Sequence, residues 1–284
     1  MMRIAIQKTG RLFDETVKLF QKSGFLFSQN VRSLSVKVEN FPIEILFLRA
    51  KDIPEMIADG VVDLGIFGEN IYAESDFSDH LKLQKKLDFG KCDLFLAAPE
   101  NSKIKKISDF FGRKIATSHP KILKNFLKKK KVSAEIIPMS GSVEIAPAIK
   151  IADGICDLVS SGATLSAHNI LKIKKIFSSE AAIFSAKNFD GGKIFNQFLT
   201  QINSVLDAKN LKSVVMNAPE SALKNIKKLF PGLESPTVMP LAKKKWVAIH
   251  SVVREDFEFW EKISALKKAG ARGILISPID RVIF

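Results

Sequence analysis

Tyrosine occurs once in this chain of 284 residues and cysteine twice. Cys92 and Cys156 each stand inside an apolar run, a setting for reduced, buried thiols in a cytoplasmic protein and not for a disulfide framework or a metal pair. No apolar run reaches the roughly 18–20 residues of a spanning helix, so no membrane partner is expected. The opening Met-Met-Arg-Ile-Ala-Ile-Gln-Lys-Thr-Gly turns polar too soon for a signal peptide and reads as a first strand. His80, His119, His168 and His250 are scattered, with no Ser/His/Asp arrangement around them, and read as structural or exposed. No arginine-rich arm or nucleic-acid module accompanies the net charge of +14. Its lysines fall in small groups (Lys85-Lys86, Lys128 to Lys131, Lys174-Lys175, Lys243 to Lys245) on helix surfaces and turns. Nucleic acid is therefore not expected as a partner, although such a field attracts polyanionic small molecules.

What is present is enough chain for two or three domains, 46% of it hydrophobic. Its most informative stretch is Ala152-Asp153-Gly154-Ile155-Cys156-Asp157-Leu158-Val159-Ser160-Ser161-Gly162-Ala163-Thr164-Leu165. Ile155 to Val159 reads as a buried strand and Leu165 to Leu171 as a short helix, with a Ser-Ser-Gly-x-Thr turn between them. Backbone N–H groups at a helix start, a glycine that permits close approach and two kinds of hydroxyl are a recipe for holding phosphate. An ordinary capped helix uses the same residues.

The same pattern occurs earlier. Ala58-Asp59-Gly60-Val61-Val62-Asp63-Leu64-Gly65-Ile66-Phe67-Gly68, laid without a gap on the later stretch, matches at 58/152, 59/153, 60/154, 63/157, 64/158 and 68/162. Two similar α/β lobes facing a shared cleft are expected, with ligands at the carboxyl ends of the strands. The later copy carries the hydroxyls; the earlier one offers Phe67, Glu69 and Asn70 as cleft lining. Strands are expected at 2–6, 42–48, 94–98, 114–117, 136–139, 173–177 and 181–184. Helices are expected from Arg11 to about Gly24, from Asp52, from His119 to Lys130, around Glu144 and from Lys193 to Ala208. From about Lys212 the order becomes βαββαβ, the ferredoxin-like arrangement.

Gln7 to Leu12, Val62 to Ile66, Leu87 to Gly90, Gly141 to Glu144, Ala152 to Leu165, Gly232 to Thr237 and Trp246 to Ala248 together resemble the ATP phosphoribosyltransferases in their long form. The resemblance spans essentially the whole chain. It implies two periplasmic-binding-protein-like α/β lobes followed by a ferredoxin-like, ACT-like regulatory domain. The corresponding boundaries are 1–94 with 182–208 for the first lobe, 95–181 for the second and 210–284 for the regulatory domain. The implied reaction is the first step of histidine biosynthesis: the phosphoribosyl group of phosphoribosyl pyrophosphate is transferred to N1 of the adenine of ATP, releasing pyrophosphate.

By the same resemblance, Ser160, Ser161, Gly162, Ala163, Thr164 and Leu165 hold the 5′-phosphate, while Asp153 and Asp157 face the ribose hydroxyls or magnesium. Both acids also suit ordinary N-caps or turns. Lys8 and Arg11, at a strand-to-helix turn on the first lobe, meet the phosphates across the cleft, with Arg49 as a further candidate. Glu144 reads either as a site residue or as the complement of a helix dipole. Mg2+ is expected to arrive with the substrates, because no cluster with metal-ligand spacing stands in the sequence. A histidine effector is implied near Asn217, Leu233, Thr237 and Gly273, in a homo-oligomer (dimer or hexamer); at Asn217 the chain departs from an acidic residue of the family. The rival reading is a non-catalytic two-lobed binding or sensor protein.

Overall fold

The computed structural model describes residues 1–28, 33–159 and 168–284. It divides into two compact units, Met1–Gln21 with Phe25–Phe195 and Lys22–Gly24 with Asn196–Phe284.

The first unit holds two sheets. One is ordered β2 (Ser35–Lys37), β3 (Ile43–Leu48), β1 (Met2–Gln7), β4 (Leu64–Gly68), β11 (Ala181–Ala186) and β5 (Leu81–Lys86). The other is ordered β10 (Ile170–Ser179), β6 (Cys92–Pro99), β9 (Gly154–Val159), β7 (Lys114–Thr117) and β8 (Glu135–Pro138). In each, three parallel strands (β3-β1-β4 and β8-β7-β9) are extended by an antiparallel strand, β11 or β6. The chain passes between the sheets twice, after β5 and after β10. The two crossing segments hydrogen-bond to each other, Leu87 N–H to Ala181 O and Ala181 N–H to Phe89 O, both 2.9 Å.

Near-continuous apolar runs form the central strands because both of their faces are covered. Ile4, Ala5 and Ile6 of β1 and Ile155 and Cys156 of β9 are fully buried. Among the described residues, the α-helices before Gly192 in this unit are α1 (Arg11–Lys22), α2 (Ile53–Ala58), α3 (Glu69–Glu74) and α4 (Pro120–Lys130). Pro54 and Pro120 stand in the first turns of α2 and α4, where a missing N–H costs nothing.

The two lobes repeat one plan, but in a register the sequence comparison misses. Arg3 and Asp63 exchange two hydrogen bonds at the start of β1 and β4: Arg3 N–H to Asp63 Oδ2 at 2.7 Å and Asp63 N–H to Arg3 O at 3.0 Å. Lys114 and Asp153 exchange the same pair at the start of β7 and β9, at 2.8 and 2.9 Å. Asp63 therefore corresponds to Asp153 and Phe67 to Asp157, a register four residues from the ungapped match of Asp59 with Asp153. Aligning Asp-Gly with Asp-Gly misled because Gly154 answers a local need of its own. A Cβ there would come within 2.8 Å of the Ala97 carbonyl oxygen and 2.6 Å of the Phe110 ring.

Two expected helices are corrected. Ile170 and Leu171 open strand β10, so the predicted helix over 165–171 does not hold in its described part. Glu144 lies on a single 3-10 turn, Val143–Ile145, bounded by Pro147. The segment around Glu144, closed off by Pro147, is too short to propagate a helix.

The second unit contains α5 (Gly192–Ala208) from Asn196 onward and a four-stranded antiparallel sheet. Its order is β13 (Thr237–Pro240), β14 (Trp246–Arg254), β12 (Leu211–Pro219) and β15 (Arg272–Pro278). With α6 (Leu223–Leu229) and α7 (Phe259–Lys268) this is the anticipated ferredoxin-like order. Val214, Met216, Val247 and Ile249 pack with Ile226 of α6 and with Phe259, Ile263 and Leu266 of α7.

Candidate active site

Strand β9 delivers the chain to Ser160. Two residues before its end stands Asp157, between Phe95 of β6 and the end of β7. Asp157 is half-buried, and burial, helped by the nearby Glu144 carboxylate, pushes its carboxyl above the ordinary aspartate range. The Leu158 N–H and the Ser118 hydroxyl oppose that rise by hydrogen-bonding to it. A half-buried carboxylate with a second acid beside it, at the carboxyl end of a parallel sheet, is a setting for a cation or a developing positive charge.

The neighbouring strand ends complete this side. Thr117 donates its hydroxyl to the Cys156 carbonyl at 2.7 Å, tying β7 to β9, and accepts the His119 N–H at 2.9 Å. His119 is buried, with Nδ1 2.9 Å from Ser118 Oγ and Nε2 3.0 Å from Asn70 Nδ2. Burial, with the Lys51 ammonium nearby, lowers its pKa to about 4, so the ring is neutral at physiological pH. A cavity of about 600 Å³ opens between the lobes here, with Lys51, Asn70 and Glu74 on one wall and Ser118, His119, Ser140 and Leu158 on the other.

Of the sequence-predicted residues, Lys8, Arg11 and Arg49 gather at the adjoining ends of β1 and β3. The Lys8 N–H bonds the Leu48 carbonyl at 2.8 Å, and Arg11 begins α1. No salt bridge among the described residues engages any of the three side chains. Asp153 lies apart from Asp157. Its carboxylate accepts the Lys114 N–H and lies 3.5 Å from Arg113, at the amino end of β9. Asp157 is four residues further along, roughly 13 Å in an extended strand, so Asp153 stands at the amino end of β9 and Asp157 near its carboxyl end. Phe67, expected in the cleft, is instead fully buried and stacked on Phe184 at 4.4 Å. Ser160, Ser161, Gly162, Ala163, Thr164 and Leu165 lie outside the described residues.

In the second unit, Asn217 of β12 pairs with Arg272 beside Gly273, and Thr237 of β13 pairs with His250. By strand alternation Asn217 and Thr237 share the sheet face turned away from α6 and α7, whereas Leu233 lies in the preceding loop and is half-exposed.

Sequence reasoning missed Lys51, Asn70's role as a bridge, Glu74, Ser118 and His119. A signal existed for some. Lys51 follows β3 just as Arg49 does, and Ser118-His119 follow β7 as Lys8-Thr9 follow β1. Among the described residues no group of three or more His, Cys, Asp or Glu could hold a metal ion.

The family described as ATP phosphoribosyltransferase matches residues 49–205, and the HisG C-terminal domain matches residues 208–281. An ATP phosphoribosyltransferase of Bacteroides thetaiotaomicron is 46% identical across the whole of both chains. That of Cytophaga hutchinsonii is 42% identical over all of this chain and 99% of its own length. Among solved structures, the ATP phosphoribosyl transferase (HisG:HisZ) complex from Thermotoga maritima includes a chain with a TM-score of 0.63 and 25% identity, covering 73% of this chain and 99% of that one. With full-length relatives at this identity and both domain matches in order, the chain belongs to the ATP phosphoribosyltransferase family, in its long form.

Proposed function

We propose that the two lobes of the first unit bring phosphoribosyl pyrophosphate and ATP together across the interlobe cleft, with the sugar on the β9 side and the nucleotide's phosphates toward the ends of β1 and β3. The observation that carries this reading is the convergence of Asp157, Glu144 and Ser118 where β9 and β7 end, immediately before the hydroxyl-rich segment 160–165. That segment receives the 5′-phosphate by resemblance to the family.

In the reaction N1 of adenine forms a bond to C1 of the ribose as the bond from C1 to the pyrophosphate oxygen breaks, and pyrophosphate leaves with the electron pair. Positive charge grows on the sugar ring and negative charge on the leaving group. Asp157 is placed to stabilise the first, and Lys8, Arg11, Arg49 and Lys51 to offset the second. Fixed charges in a partly dry cleft are worth far more than in water. The rest of the barrier is lowered by holding two polyanions in reacting geometry. Magnesium, when bound, would neutralise phosphate charge; the paired carboxylates of Asp157 and Glu144, whose mutual repulsion a cation would relieve, are the groups here that fit it.

The finer features of the reading are a histidine effector on the open sheet face of the second unit near Asn217 and Thr237, assembly into a homo-oligomer, and action in the cytoplasm. Among the described residues no helix is long and apolar enough to cross a membrane. Incubation with ATP, Mg2+ and phosphoribosyl pyrophosphate should generate the phosphoribosyl-ATP chromophore. Binding of either substrate without turnover would instead favour a non-catalytic two-lobed binding protein.

A further inference from the structure

The stretch between β4 and β5 belongs to the first lobe by its strands, yet its side chains are divided between the two lobes. Ile71 and Tyr72 of α3 pack on the first lobe's core, with Tyr72 stacked on Phe184 at 5.0 Å. Ala73 packs instead against the second lobe's core, the cluster that holds Leu123 and Leu127 of α4. Three polar side chains of the stretch also reach across. Asn70 donates its backbone N–H to Ser179 Oγ at the end of β10 and accepts the Ser179 hydroxyl on its side-chain carbonyl, both at 3.0 Å. With that carbonyl committed the amide is left to donate, and Asn70 Nδ2 lies 3.0 Å from His119 Nε2. All three residues are buried. Gly68, at the end of β4, makes room for the bridge, since a Cβ there would collide with Asn70 Oδ1.

Further along, Glu74 accepts the Lys121 and Ile122 N–H groups at 3.0 and 2.7 Å. Both stand in the first turn of α4, where a helix has no acceptor of its own for them. Asp76 pairs with the Lys121 ammonium. The line of contacts therefore starts beside the crossing segments, where Ser179 precedes Glu180 and Ala181, and runs out to the amino end of α4. Two bodies joined only where the chain crosses between them can rotate about that hinge, and a second fastening fixes the angle. What fastens here is polar. Hydrogen bonds broken on opening are exchanged for bonds to water, so each resists separation only weakly.

We propose that Asn70 and Glu74 are positioning residues that form a releasable clasp: they hold the two lobes shut along one side of the cleft, and they let go when substrate enters or product leaves. Both line the cavity between the lobes, as does His119, which one of them grips. Every bond of the clasp is made between groups of the chain, so closure is not driven by substrate binding. A weakened clasp lowers the fraction of molecules that are shut, and the apparent affinity for substrate falls by that same fraction, while the chemistry of the shut form is unaltered. The link to substrate rests on the reading of this cleft as the substrate site; the clasp itself is measured apart from it.

Amide hydrogen exchange on the full chain reads the clasp directly. Asn70→Ala leaves Glu74 and its two N–H partners chemically untouched, so a purely local role keeps Lys121 and Ile122 as protected as in the parent. A clasp makes both exchange faster, because the lobes part more often. With the shut form favoured about threefold, a tenfold loss in the closing constant speeds exchange about threefold and raises the KM for ATP and for phosphoribosyl pyrophosphate about threefold. Glu74→Ala should raise both KM values alike, and in each variant kcat should fall much less. The double variant should raise KM about 25-fold, beyond the product of the two single effects, because both residues bias one equilibrium. Unchanged exchange at Lys121 and Ile122 in Asn70→Ala overturns the clasp. So does a fall in kcat with KM unmoved, which would place these residues in the chemistry. Faster exchange in a chain that turns over neither substrate would uphold the clasp and overturn the proposed function instead. Should Asn70→Ala fail to fold, Ser179→Ala, which deletes only the hydroxyl at the other end of the bridge, decides by the same exchange readout.

Discussion

Asp157 and Phe67 occupy equivalent places in the two lobes, one half-buried at a cavity edge and the other stacked inside a core. The same strand position serves chemistry in one copy and packing in the other. Asp157→Asn keeps the shape and removes the charge, so it should lower turnover at least a hundredfold, the scale of losing a fixed charge from a preorganised site, while the melting temperature stays close to that of the parent. Steady-state kinetics beside a thermal melt checks both. His119 gives a second residue-scale expectation. A histidine in the unfolded chain holds its proton up to about pH 6.5, whereas folded His119 takes one only near pH 4. Between these values the unfolded state binds the extra proton. Stability is therefore full above about pH 6.5 and falls as pH drops toward 4, by on the order of 3 kcal/mol in all. Urea titrations across that window should show the slope, and His119→Gln should flatten it.

At the scale of elements, β7 was legible to the residue because Lys114 to Thr117 is a short apolar run between breakers, and α4 nearly so because Pro120 marks its start. The ferredoxin-like order was legible because Gly232 and Gly270 close its helices at positive φ. What the sequence hid were facts about which strands pair. The true register of the repeat lies in bonds between Arg3 and Asp63 and between Lys114 and Asp153, partners far apart in the chain. For the same reason the bonds of Asp153 to Lys114 and Arg113 were not legible. His119 looked inert because its partners, Asn70 and Ser118, become a set only when two lobes meet. The close approach at Gly154 yields a prediction: Gly154→Ala drives a methyl against the Ala97 carbonyl, a backbone atom that cannot swing away, and should cost about 1–3 kcal/mol in denaturant unfolding. Glu74→Ala removes the carboxylate that accepts two N–H groups of α4. It should cost about 1 kcal/mol, read as a drop of a few degrees in melting temperature.

For the whole molecule, a net charge of +14 acts on two polyanionic substrates at once. The KM for each should rise with ionic strength, and kcat should move much less, because screening weakens attraction to the cleft without altering the geometry inside it. The proposed histidine effector carries its own expectation for the second unit: Asn217→Ala should weaken that inhibition while leaving uninhibited turnover intact, measured by inhibitor titration.

The carboxylate of Glu74 has one more effect. A helix of the length of α4 ordinarily invites phosphate at its amino end. In this chain that berth is already taken by a side chain from the other lobe, and an arriving phosphate would meet like charge there. In the proposed arrangement, with that entrance closed, the substrates' phosphates are left the segment after β9 and the basic rim around Lys8 and Arg49.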